Sequence, residues 1–323
     1  MKSIETYKEE FLVYLNEKVK VKEPLNLYEP IHYILQLGGK RLRPVLTLLT
    51  CDIFGGNEKL AYDAALAVEV FHNFTLIHDD IMDSAPIRRG KETVHKKWDE
   101  NTGILSGDAM MILGNQCFES YDAPIFKELM ILFNKTALEV CEGQQCDMDF
   151  ETRNDVTITE YLKMITNKTS VLVAAAMKMG AIIAGASKDE AIKIYNFGLN
   201  LGIAFQLQDD YLDTFGDAAV FGKQIGGDIL ENKKTFLYLK ALEMCSSKDA
   251  KKLIAIYNAT TPNNNKVSEV TSLFVENKIP EVTINEIEKY SNKAFEVLET
   301  MSISSVKKEA LKDFGLNLMK RTI

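Results

Sequence analysis

The stretch with the clearest chemistry is Asp79-Asp80-Ile81-Met82-Asp83, three carboxylates within five residues, directly after the apolar run Phe74-Thr75-Leu76-Ile77. At about 100° per residue, Asp79 and Asp83 share one helix face a turn apart, and His72 lies on that face two turns earlier. Carboxylates gathered on an apolar helix lose hydration and repel one another, so they call for a cation. Hard oxygen donors suit Mg²⁺, which takes one or two carboxylates and completes its shell with water and phosphate oxygens. A single cluster of this kind also resembles an ordinary solvated helix end. The same spacing returns at Asp209-Asp210-Tyr211-Leu212-Asp213, again behind an apolar helical stretch, 197–207. Two copies suggest two acidic helix faces opposed across a bundle, with metal ions and a polyanion between them.

A phosphate-rich ligand should also meet Lys and Arg. Lys40 and Arg43 stand just before a helix marked by Pro44, behind Gly38-Gly39, which permits close backbone approach. Arg88 and Arg89 follow the first acid cluster. Lys168 precedes Thr169 inside the otherwise apolar 162–176 stretch, a costly place for an unpaired cation. Lys223 and Lys233 flank Gly226-Gly227-Asp228. Singly, all but Lys168 read as surface charges; together they outline a diphosphate site.

The elements that must position these residues are helices. Only seven prolines occur, none between Ile125 and Thr261, and strict apolar/polar alternation is scarce. The spacing predicts helices over 3–21, 31–37, 45–54, 59–83, 103–119, 124–149, 159–184, 188–213, 233–245, 248–257, 264–277, 282–299 and 305–320, with the first ended by the Pro24 and Pro30 region. The expectation is a single all-α domain over 1–323, because the acid clusters would need one shared cavity. Composition is 46% apolar and 26% charged, that of a soluble globular chain. A net charge of −8 argues against nucleic acid. No apolar run is long enough for a transmembrane segment, and the charged, amphipathic start is unlike a signal peptide. Five cysteines without CxxC spacing read as reduced thiols of a cytoplasmic protein.

The ordered motifs resemble those of the trans-isoprenyl diphosphate synthases, the polyprenyl synthetase family, over nearly the whole chain. They are Gly38-Gly39-Lys40-Arg41-Leu42-Arg43-Pro44, the His78–Asp83 cluster with Arg88-Arg89-Gly90, Glu142-Gly143-Gln144-x-x-Asp147, Lys168-Thr169, Phe205-Gln206 with the second acid cluster, and Gly222-Lys223 with Asp228. The resemblance implies an all-α bundle of about ten core helices around a deep central cavity (the isoprenoid synthase fold), commonly a homodimer. It implies Mg²⁺-dependent head-to-tail 1'–4 condensation of isopentenyl diphosphate with an allylic diphosphate. Asp79, Asp83 and Asp209 would bind three Mg²⁺ ions, with Asp80, Asp210 and Asp213 as associated acids. Arg88, Lys168, Lys223 and, more weakly, Lys233 would hold the allylic diphosphate; Lys40, Arg43, His72 and Arg89 would hold isopentenyl diphosphate. Lys168, Thr169 and Gln206 would place oxygens near the allylic cation, and Gln144 and Asp147 would support metal-bound water.

Product length should be set below Asp79, where Thr75, Phe74 and Phe71 lie about 6, 7.5 and 12 Å down the helix. Small Thr75 leaves room and the two Phe rings form a floor. Phe74, however, falls about 140° from Asp79, so its role requires a distortion or a neighbouring helix. Two residues separate Asp80 from Asp83, two fewer than in typical bacterial farnesyl synthases, and the motif resembles archaeal-type geranylgeranyl synthases. The expected product is C20, ahead of C15. A longer-chain synthase, a class I terpene cyclase or squalene-type synthase, and a non-catalytic partner subunit are the alternatives. A cyclase does not need the second cationic site, and a non-catalytic subunit would be expected to lose acids. His78 and His95, Trp98 and the Met110-Met111 pair read as packed residues.

Overall fold

The structure, a computed structural model, describes residues 2–217, 225–259 and 264–319. It is all-α as expected, with one small exception, a two-residue antiparallel hairpin pairing Ile87–Arg88 with Lys91–Glu92. Among the described residues, no helix is long and apolar enough to cross a membrane. The chain divides into two compact units, residues 1–135 with 175–192, and 136–174 with 193–323.

In the first unit, Tyr62–Met82 is the central helix, packed against Leu42–Ile53 and Glu100–Gln116. Its first turns are nearly apolar all round, from Ala64 to Phe71, and are buried accordingly. Small Ala64, Ala65 and Ala67 let its neighbours approach closely. Gly180 does the same for Leu42–Ile53, since a Cβ there would stand 2.9 Å from the Cys51 backbone nitrogen. The helix stops at Asp83, whose amide donates to the Asp79 carbonyl (2.8 Å), and Ser84 then turns left-handed at φ 50°. The acid cluster is therefore presented on a last turn, beside a loop.

The second unit gathers its core around Ile203, Leu207, Leu237, Leu253, Val270 and Phe274. Ile158–Ile165 begins with a reciprocal cap in which Thr157 and Glu160 each accept from the other's backbone amide. Lys188–Phe215 carries the second acid cluster near its C-terminal end.

Three expectations are corrected. The second helix runs Leu25–Gln36, through Pro30, rather than starting at 31. Pro30 removes only the bond to the Asn26 carbonyl, and Asn26 is exposed, so water replaces it. The helix expected over 159–184 is broken into Ile158–Ile165, a five-residue π turn Thr166–Ser170, and Val171–Ile183. Finally, a short helix, Gly227–Leu230, lies between the helices expected over 188–213 and 233–245.

Candidate active site

In the first unit the Gly38–Pro44 loop and the Arg88-Arg89 turn meet the Tyr62–Met82 helix. Arg41 takes a left-handed backbone (φ 51°) and is buried, its guanidinium paired with buried Glu69 and donating to the Leu35 carbonyl. Asn73, fully buried one turn on, donates to the same Glu69 carboxylate at 2.9 Å. This network fixes the loop that presents Lys40 and Arg43. Lys40 is exposed. Arg43 Nη1 lies 3.2 Å from His72 Nε2. Arg89 donates to the Gly38 carbonyl, and its guanidinium lies against Gly39, where a Cβ would come within 3.0 Å of Cζ. With φ values of 82° and 121°, Gly38 and Gly39 are glycines for conformational reasons as well.

Burial, and after it the charges of Arg43, Arg89, Arg88 and Arg41, holds the His72 pKa well below the usual imidazole range. A neutral ring accepts from Arg43 at Nε2 and keeps a proton on Nδ1, so the group adds a donor rather than a charge. The loop, the turn and His72 thus bring the Arg43 and Arg89 guanidinium groups and a neutral imidazole together.

The acids of the first cluster divide. Asp79 is half-buried and Asp83 exposed, whereas Asp80 is 1% exposed and receives Arg88 in a forked ion pair, Nε at 2.9 and 2.8 Å and Nη2 at 2.7 Å. Asp80 therefore orients Arg88. Thr93, fully buried, closes the turn by donating to the Ala85 carbonyl at 2.7 Å.

Below Asp79, the Phe74 ring packs on Phe71 (5.5 Å between centroids), Phe71 on Phe133 (5.3 Å) and Phe133 on Phe118 (5.1 Å). Phe133, on the helix Ala123–Thr152, thus contacts Phe71 rather than Phe74 itself. Thr75 turns its hydroxyl back to the His72 carbonyl at 2.8 Å. His78 packs on Phe74 and lies 3.2 Å from the Ile104 carbonyl, and Met110 is fully buried, both as expected. His95 is also buried, while Trp98 belongs to a partly exposed cluster with Tyr33 and Lys97.

In the second unit, Lys168 is placed by the π turn. A Cβ at Gly143 would stand 2.7 Å from Lys168 Cα, and one at Gly202 would stand 2.9 Å from Ser170 Cα. Two helices thus press on the turn through glycines. Lys168, partly exposed in a turn of polar residues, pairs with Asp147. Thr169 Oγ1 lies 3.3 Å from Gln206 Oε1, and Gln206 donates to Asp210 at 3.2 Å.

Buried Asp210 also accepts from Tyr161. Burial, then the neighbouring Asp228, pushes the Asp210 carboxyl well above its ordinary range, against the opposing hydrogen bonds of Tyr161 and Gln206. Asp213, 9% exposed, accepts from the Asp228 amide at 3.0 Å and so pins the Gly226 turn. Asp209 is half-buried. Lys233 lies 3.7 Å from Asp228 and 2.9 Å from Glu231. Lys223 and the C-terminal Lys320–Ile323 tail lie outside the described residues.

Among the described residues no three or more His, Cys, Asp or Glu side chains gather as a metal cage. A sparse carboxylate set fits Mg²⁺ bound by one or two carboxylates and otherwise by water and phosphate. Sequence reasoning assigned no role to Glu69, Asn73, Tyr161 or the pinching Gly143 and Gly202. Glu69, a charge amid the 64–71 apolar run, was the available signal.

The polyprenyl synthetase family model matches residues 24–274. A short chain isoprenyl diphosphate synthase of Methanothermobacter thermautotrophicus is 42% identical over 246 residues, 75% of each chain. A geranylgeranyl diphosphate synthase of Sulfolobus acidocaldarius is 39% identical over 285 residues, 86% of each. A crystal structure of a geranylgeranyl pyrophosphate synthase superposes with a TM-score of 0.95 at 52% identity, covering all of both chains. The all-α fold and paired acid motifs are those of the isoprenyl diphosphate synthases. The chain belongs to the polyprenyl synthetase family. It is an enzyme, a short-chain trans-prenyltransferase, and its family is Mg²⁺-dependent.

Proposed function

We propose that the protein condenses isopentenyl diphosphate with allylic diphosphates and releases chiefly geranylgeranyl diphosphate, C20. The carrying observation is that one helix, Tyr62–Met82, bears the Asp79–Asp83 cluster on its last turn and the Phe74–Phe71 stack one to two turns below it. In this reading Asp79, Asp83 and Asp209 hold three Mg²⁺ ions. When bound, the metal supplies Lewis-acid stabilisation of the leaving diphosphate. Lys168, Lys223 and Lys233 hold that diphosphate, and Arg88 joins them through the guanidinium edge turned away from Asp80. Lys40, Arg43, His72 and Arg89 hold isopentenyl diphosphate. That pocket keeps the attacking double bond close to the ionising carbon, which supplies the proximity term. Carbonyl, hydroxyl and amide oxygens of Lys168, Thr169 and Gln206 face the allylic cation. The final proton goes to the departing diphosphate, so no side-chain base is assigned.

The two units act as one catalytic domain in this reading, supported by helices such as Ala123–Thr152 and Lys188–Phe215 that contribute residues to both. A homodimer is favoured by exposed Ile104, Leu105 and Ile112 on one helix and Ile131 on the next. A cytoplasmic setting is favoured by five free cysteines.

The test is incubation with labelled isopentenyl diphosphate, Mg²⁺ and dimethylallyl, geranyl or farnesyl diphosphate in turn. Convergence of all three primers on C20 is expected. Accumulation of C15, or of chains beyond C20, would overturn the product assignment, and absence of any prenyl product would favour a non-catalytic partner role.

A further inference from the structure

The first unit contains a cavity of about 390 Å³, within the size range of small-molecule sites. Its wall includes Ile31, Leu35, Leu66, Val70 and Leu113. Val70 and Leu66 stand about 180° and 140° around the Tyr62–Met82 helix from Asp79, so this is not the side that faces the acid cluster. Within this wall, burial, and then Asp63, pushes the Cys117 thiol up to about 12.

The lining also includes Lys18, Lys20 and Lys22, all exposed, at the end of the first helix and in the segment that follows. The Lys18 and Lys22 ammonium groups lie 5.3 and 4.6 Å from the Tyr14 and Tyr28 ring centroids. Among the described residues none of the three pairs with a carboxylate. The lining's own acid, Asp63, accepts from Tyr14 with one oxygen and from Ser120 (2.7 Å) with the other. In a chain of net charge −8, a cavity with an apolar wall edged by three such lysines has one complement. That complement is a molecule with an apolar tail and a multiply charged anionic head.

We propose that this cavity is a second binding site, outside the catalytic machinery, for a prenyl diphosphate of the kind the enzyme makes. The tail lies among Leu66, Val70 and Leu113, and the head lies among the lysines. The ligand's identity rests on the prenyltransferase reading; the cavity and its charge do not.

The experiment is calorimetric titration of the full chain with geranylgeranyl diphosphate in EDTA, which withholds the metal on which the catalytic diphosphate site depends. Binding is expected, and it should weaken by about tenfold or more in Lys18→Glu/Lys20→Glu/Lys22→Glu. Leu113→Trp, which fills a partly exposed part of the wall, should weaken it similarly. Condensation rates with Mg²⁺ should stay within about twofold in both variants, because neither touches the reacting groups. Geranylgeraniol and inorganic diphosphate should each bind at least about tenfold more weakly than the intact amphiphile. Wild-type-like titrations in both variants would overturn the proposal. So would capture of phosphatidylglycerol vesicles without binding of free geranylgeranyl diphosphate, which would mark a lipid-surface contact instead. Should condensation fail with Mg²⁺ while the lysine-dependent titration persists, the cavity site stands and the catalytic reading falls.

Discussion

Glu69 never needs to touch substrate to matter. It is buried with Arg41, and the pair, with Asn73, sets the loop that carries Lys40 and Arg43. Removing one partner of a buried ion pair costs about 3–5 kcal/mol, because the other charge remains unanswered. Glu69→Ala should therefore lower thermal stability by that amount, while Glu69→Gln, which keeps an acceptor, should fold better and chiefly raise KM for isopentenyl diphosphate. An unchanged KM in Glu69→Gln would detach the network from the loop's function.

His72 makes a pH prediction. Its folded pKa is depressed, so below about 6.5 the unfolded chain binds the proton more readily. Stability is then fully present above that pH and is lost as pH falls through the folded value. Denaturant titrations from pH 7.5 to 5 should show the loss, and His72→Gln should flatten that part of the profile. The Phe stack yields the third residue-scale test. Phe74→Ala should shift products beyond C20; Phe71→Ala should do so too, at a stability cost of about 3–5 kcal/mol for a fully buried ring. Unchanged product chromatograms from both would remove the floor.

At the scale of elements, the π turn Thr166–Ser170 is the least ordinary feature. An extra residue in a helical turn redirects the side chains that follow it, and such turns concentrate at functional sites. Here it delivers Lys168 to Asp147 and Thr169 to Gln206 while the flanking helices press on it at Gly143 and Gly202. Gly143→Ala would put a methyl group into the Lys168 backbone, an overpacking worth about 1–3 kcal/mol. The expected outcome is a lower Tm together with a loss in kcat on the order of a hundredfold from misplaced groups. A fall in Tm with kcat retained would show that the turn is only structural. The polar run Thr166–Ser170 inside an otherwise helical stretch was the local mark of this break; that it becomes a π turn comes from two glycines remote in the chain, Gly143 and Gly202.

At the scale of the molecule, the exposed Ile104, Leu105, Ile112 and Ile131 call for a partner surface. Sedimentation should give a dimer for the wild type. Ile104→Lys/Ile112→Lys should give a monomer, and a monomeric wild type would refute the assembly.

The amino-acid sequence by itself determined the helical class, the two acid-bearing helix ends and the cationic loops, because periodicity, residue type and short-range spacing are local properties; the reaction class came from the resemblance of its ordered motifs to a known family. Tertiary structure alone decided how each acid is used. Asp80 is spent on Arg88, Asp210 on Tyr161 and Gln206, and Asp213 on the Asp228 amide, while Asp79 and Asp209 keep partly exposed positions. Identical DDxxD spacing cannot carry that distinction. Burial and partner choice come from residues far away in the chain, such as Tyr161 against Asp210 and Glu69 against Arg41, and the free energy of a buried carboxylate depends on those neighbours.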